Sequence, residues 1–174
     1  MRVGLAHGAS GTAASMAAYV AALASHGVDG FAIGLPRGHA EAAVPAYRAA
    51  VASAGVALAN VVIGGQSYGG RVASLLAADE PPAGLVLLSY PLHLPGKPDW
   101  QARTEHWPRI SCPVLLLSGE ADPFARTGLL REAVELLPEH ELVTYPRVGH
   151  GLGPVIEDAM ERLAQFAARV KASV

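Results

Sequence analysis

Residues 57–78 read ALANVVIGGQSYGGRVASLLAA, and three local signals follow one another in them without a gap. From Ala57 to Ile63 the chain is apolar and becomes β-branched, the composition of a buried strand. Gly65-Gln66-Ser67-Tyr68-Gly69 then matches G-x-S-x-G, in which small residues two before and two after the serine let a strand reverse into a helix without a clash. From Arg71 to Ala78 the residues are good helix formers, and Pro81-Pro82 stops them. The spacing predicts a strand over 58–65 and a helix over 68–79. In a chain with 19 glycines, a bare match of this kind arises by chance about one time in ten. The weight therefore rests on the order strand, turn, helix.

The same alternation runs outward in both directions. Strands are predicted over 2–6, 29–34, 84–90, 112–118 and 140–145, and helices over 12–26, 40–54, 124–137 and 154–171, each helix with alanine or leucine recurring on one face. Alternation of this sort implies an α/β fold, a parallel sheet with helices on both sides. At 174 residues, 51% hydrophobic and 16% charged, the chain suits one domain, 1–174, with a substantial core. Only 91–108, PLHLPGKPDWQARTEHWP, breaks the rhythm, with four prolines, two tryptophans and two histidines. It begins beyond the carboxyl end of a strand, where open α/β sheets bind ligands. Two readings stay open: a wall of a substrate pocket, or aromatics that seal the sheet end. On the first, Tyr90, Leu92, His93, Trp100 and Trp107, joined by Leu152 and the side chain of Tyr68, would contact substrate.

Composition excludes several classes of partner. The formal charge is −2, with 13 Lys and Arg scattered among 15 Asp and Glu, so no basic patch is available for nucleic acid or a membrane surface. No apolar run reaches the length of a spanning helix, and Met1 to Gly8 is too short an apolar stretch for a signal peptide. A cytoplasmic location is the expectation. Cys112 is the lone cysteine, which leaves no disulfide framework and no thiolate metal site. Gly8-Ala9-Ser10-Gly11 lacks G-x-G-x-x-G and GGQSYGGR lacks the Lys-Ser/Thr pair of a P-loop, so phosphate cradling is not indicated. No metal or organic cofactor is expected.

A serine on a sharp turn needs a base to take its proton, and the base needs an orienting acid. Both residue types follow later strands: Gly119-Glu120-Ala121-Asp122-Pro123 after CPVLLLS, and Gly149-His150-Gly151 after ELVTYP. Of seven histidines, His150 is the one flanked by glycines directly after the final strand. His7, His39, His93 and His106 fall in loops that could rim the same crevice. Asp122 is the preferred acid, Glu120 its competitor, both within one turn of the end of the same strand, and Asp122 could instead cap the next helix. The early loop HGASG, residues 7–11, would add a backbone N–H from Ala9 to that of Tyr68 to make an oxyanion hole, or would simply be a tight turn.

Together HGASG, GGQSYGGR, SYPLHLPGKP, GEADPF and GHGL resemble the α/β-hydrolase superfamily. Within it they resemble the small, capless, dienelactone-hydrolase-like bacterial proteins related to testis-expressed and chromatin-complex homologues in animals. The resemblance covers nearly the whole chain and implies a six-stranded sheet in the order 2-1-3-4-5-6, without the first two strands of a full hydrolase and without a lid. It implies a serine esterase with Ser67 as nucleophile, His150 as base and Asp122 as acid, acting on a small acyl substrate. Serine stands where true dienelactone hydrolases carry cysteine, which sets that substrate apart. The animal homologues raise a second possibility, a non-enzymatic interaction module on the same fold. With no cap, a shallow pocket is expected to prefer short acyl chains.

Overall fold

β-branched and leucine-rich runs flanked by helices settle into a sheet covered on both faces, because every buried strand then has its backbone paired and its side chains in apolar surroundings. The computed structural model describes residues 1–173. Its strands are β1 (Arg2–Ala6), β2 (Asp29–Ile33), β3 (Val61–Gln66), β4 (Gly84–Leu88), β5 (Val114–Gly119) and β6 (His140–Tyr145). All neighbours pair in parallel, in the order β2-β1-β3-β4-β5-β6, as predicted. The helices are α1 (Ala17–Ser25), α2 (Ala40–Ser53), α3 (Tyr68–Asp79), the single-turn α4 (Gln101–Thr104), α5 (Thr127–Ala133) and α6 (Ile156–Ser173).

Successive strand residues point to opposite faces, and the core divides accordingly. Ile63, Leu85 and Leu87 face Tyr47 of α2 and Val72 and Leu76 of α3. Val62, Val86 and Leu88 face Leu23 of α1 and Met160 and Leu163 of α6. Each such side chain contributes roughly 1.5–3 kcal/mol on burial. The buried hydroxyl of Tyr47 fastens α2 to the sheet centre by donating to Gly64 O (2.7 Å) and accepting Gly64 N–H (2.9 Å). Among the described residues, no helix is long and apolar enough to cross a membrane.

Boundaries differ from expectation where local hydrogen bonds outcompete the ladder. Residues 58–60 form a 3₁₀ turn closed by Asn60 N–H to Ala57 O (2.9 Å), so β3 begins at Val61. β4 ends at Leu88 because Ser89 has φ = 49°, outside the strand region. The helix predicted over 124–137 begins only at Thr127, since the side chain of Asp122 captures Phe124 N–H (2.8 Å) and holds 122–125 as a turn. Segment 91–108 is not structureless: it carries α4 and a 3₁₀ turn, Trp107–Arg109.

Candidate active site

β3 delivers Ser67 to the carboxyl edge of the sheet in a backbone conformation, φ = 49° and ψ = −111°, that a side chain ordinarily avoids. Strain of this kind costs on the order of 1–3 kcal/mol and persists only where the surroundings impose it. Here α3 starts at the next residue and packs close behind β1. A Cβ on Gly65 would collide with Ala6 O, and one on Gly69 would lie 2.5 Å from the same oxygen. Gly65 is thus required by the close pairing of β3 with β1, and Gly69 by the approach of α3 to β1.

Three strand ends bring the polar side chains together. The Ser67 hydroxyl donates to His150 Nε2 (2.9 Å), and His150 Nδ1–H donates to Asp122 Oδ2 (2.8 Å). The Asp122 side chain is wholly out of solvent, and its other oxygen accepts Phe124 N–H (2.8 Å), so neither carboxylate oxygen lacks a donor. Glu120 points elsewhere, accepting the Thr144 hydroxyl (2.8 Å) at the surface. The Phe124 ring packs on His150 with centroids 4.5 Å apart.

The serine opens into a cavity of about 750 Å³, within the size range of small-molecule sites. Ala9 and Tyr68 line it beside Ser67. Tyr68 is the first residue of α3, where a backbone N–H has no acceptor within the helix. The loop carrying Ala9 is braced by buried His7, which accepts Leu35 N–H at Nε2 (3.0 Å) and therefore donates from Nδ1 to Gly8 O (2.7 Å). The Tyr68 hydroxyl donates to Pro36 O (2.9 Å), tying α3 to the loop before α2.

The expected substrate contacts lie elsewhere, and this corrects the reading of the pocket wall. Tyr90, Leu92, His93, Trp100, Trp107 and Leu152 are all buried and none lines the cavity. Tyr90 and Trp107 stack edge to face in the core under α3, and Leu152 sits in the core on the opposite face of the sheet. Their apolar surface gains more from sealing the sheet end than from facing an open cleft. His93 is a brace: its N–H donates to Phe124 O (2.9 Å) and its Nε2 accepts Arg126 N–H (3.1 Å), which holds the turn bearing Asp122. His106 is buried against Ser74 (2.8 Å). Of the loop histidines, His39 lines the cavity.

In their place the wall is made by Leu94, Phe124, Gln66, Glu41, Arg71 and Arg103. Leu94, 46% exposed, comes from the 91–108 segment. Arg71 had a signal in the sequence, since four residues after Ser67 on a helix is one turn along the same face. Arg103 and Phe124 had none.

Solved structures with this fold span different chemistries. A monoacylglycerol lipase from Paleococcus ferrophilus matches at 17% identity, with a TM-score of 0.80, over 97% of this chain and 94% of that one. Est1E from Butyrivibrio proteoclasticus, solved with ferulic acid bound, matches at 18% identity and a TM-score of 0.79, over 99% and 90%. The haloalkane dehalogenase DbeA from Bradyrhizobium elkani matches at 13% and 0.80, over 99% and 91%. At such identities the likeness establishes the fold, and chemistry must be argued from the site. A family model described as an alpha/beta hydrolase domain matches residues 35–174, and with the sheet order and the strand-turn-helix around Ser67 the chain belongs to that family.

Proposed function

We propose that the protein hydrolyses an ester or related acyl bond of a small substrate through an acyl-enzyme on Ser67. The observation that carries this reading is the continuous path from the Ser67 hydroxyl to His150 Nε2 and from His150 Nδ1–H to the buried Asp122 carboxylate. Ser67 Oγ attacks the carbonyl carbon as its proton passes to His150 Nε2. Asp122 fixes the tautomer that leaves Nε2 free to accept, and it stabilises the imidazolium that forms. The negative charge on the former carbonyl oxygen is met by the N–H groups of Tyr68 and Ala9. His150 then returns the proton to the leaving alcohol as the tetrahedral intermediate collapses. Water, losing a proton to His150, attacks the acyl-enzyme, and His150 passes that proton to Ser67 Oγ as the acyl–oxygen bond breaks, releasing the acid and free Ser67. These steps need nothing beyond the chain, the substrate and water.

A fluorophosphonate probe tests the reading directly. The expected result is one label per chain on Ser67, abolished in Ser67→Ala and strongly slowed in His150→Ala. A folded protein that stays unlabelled under conditions that label other serine hydrolases would sink it and favour an interaction module.

A further inference from the structure

The cavity wall carries two guanidinium groups that the hydrolytic steps do not use. Arg71 and Arg103 line the same cavity as Ser67. Arg71 lies four residues beyond the nucleophile on α3, so its Cα is about 6 Å along the helix from that of Ser67. Its Nη2 donates to Glu41 Oε1 (2.9 Å) and its Nη1 to Arg103 O (3.4 Å), while Arg103 Nη1 donates to Pro91 O (2.7 Å). A guanidinium has five N–H donors, so most of these donors remain for a further acceptor. Arg103 is held in place from below, because the buried Tyr90 hydroxyl donates to its carbonyl oxygen (2.6 Å). Burial, and next the charge of Arg71, lower the proton affinity of Arg103, the mark of like charges held close together partly out of water.

Charge and direction narrow the ligand. Two arginines against Glu41 leave one positive charge in excess on this wall, which matches a carboxylate better than a doubly charged phosphate. The leaving oxygen has to reach His150 to be protonated, so the alcohol side of an ester lies next to Phe124, whose ring packs on that histidine. The acyl chain then runs the other way, toward α3 and α4 and the two arginines. We propose that the substrate is a half-ester of a short dicarboxylic acid, with its free carboxylate on Arg71 and Arg103 and its apolar alcohol against Phe124. This rests on the reading of Ser67 as the residue that becomes acylated.

The test compares two benzyl esters of equal acyl length, monobenzyl glutarate, which carries the free carboxylate, and benzyl pentanoate, which ends in methyl. Wild-type kcat/KM is expected to favour the glutarate at least tenfold, and the preference to shrink as sodium chloride is raised. Arg103→Gln and Arg71→Gln should each lower the glutarate-to-pentanoate ratio about tenfold, whereas Arg103→Lys should restore part of it. Equal kcat/KM for the two esters in wild type, or a preference for pentanoate, would overturn the carboxylate site while leaving the hydrolase reading intact. A ratio unchanged in both glutamine variants, with folding verified by circular dichroism, would also overturn it. Absence of fluorophosphonate labelling at Ser67 would instead remove the hydrolase reading beneath it.

Discussion

Ser67 carries two demands at once, a positive φ and, on the proposed mechanism, a reactive hydroxyl, and these can be separated by substitution. Ser67→Gly and Ser67→Ala both remove the hydroxyl and should both lower kcat by about 10⁴-fold or more. Only glycine is at ease at φ = 49°. Ser67→Gly is therefore expected to unfold at higher urea than Ser67→Ala, by about 1 kcal/mol, and equal midpoints would show that the turn is unstrained. A second residue-scale expectation concerns His106. Burial first, then the guanidinium groups of Arg71 and Arg109, lower its pKa from 6.5 to about 4. The unfolded chain thus takes up this proton below pH 6.5 while the folded chain resists it until about pH 4. The corresponding stability is present in full above pH 6.5, declines as pH falls through that window and is gone below pH 4. Urea midpoints measured across the window should fall more steeply for wild type than for His106→Gln, and parallel curves would remove His106 as the cause.

At the scale of elements, the 91–110 excursion between β4 and β5 has a buried and an open side. Trp107 is fully buried and stacks on Tyr90, and its neighbour Ile110 is buried with it. Trp107→Ala should cost about 3–5 kcal/mol of stability, read from urea denaturation, through the cavity it leaves. A change of acyl-chain preference is expected instead from Leu94→Ala, and a change of alcohol preference from Phe124→Ala, because those side chains line the cavity. If Trp107→Ala kept full stability and shifted chain-length preference, the burial argument would fail. Cys112, just before β5, is buried, and its thiol is pushed up to about 12. It should resist iodoacetamide in the native state at pH 8 and react promptly in urea.

For the whole molecule, neighbouring residues on β4 report on opposite faces. Leu87 belongs to the core under α2 and α3, and Leu88 to the core under α1 and α6. Both are fully buried, so Leu87→Ala and Leu88→Ala should each cost about 2–5 kcal/mol. If the chain is one domain, each variant loses far- and near-ultraviolet circular dichroism in a single coincident urea transition. Two separated transitions in either variant would mean that the faces unfold independently.

The convergence of Ser67, His150 and Asp122 was legible from the chain alone, because in a parallel sheet every strand ends at the same edge and residues just beyond those ends converge, whereas the sheet order was implied by the family resemblance of the motifs. Glycines at 65 and 69 are legible for a related reason: the turn they flank admits no side chain. The walls of the cavity were not legible. Tyr90, Trp100 and Trp107 look the same in sequence whether they face a ligand or a core, and burial of their large apolar area placed them beneath the site. Arg103, Phe124 and Leu94 reach the cavity by the path their loops take, which depends on distant anchors such as the Tyr90 hydroxyl and the His93 ring. Local patterning determined the elements and the edge at which they end. Only the packed tertiary structure decided which loop side chains turn inward, since that choice balances burial against hydrogen bonds between residues far apart in the chain.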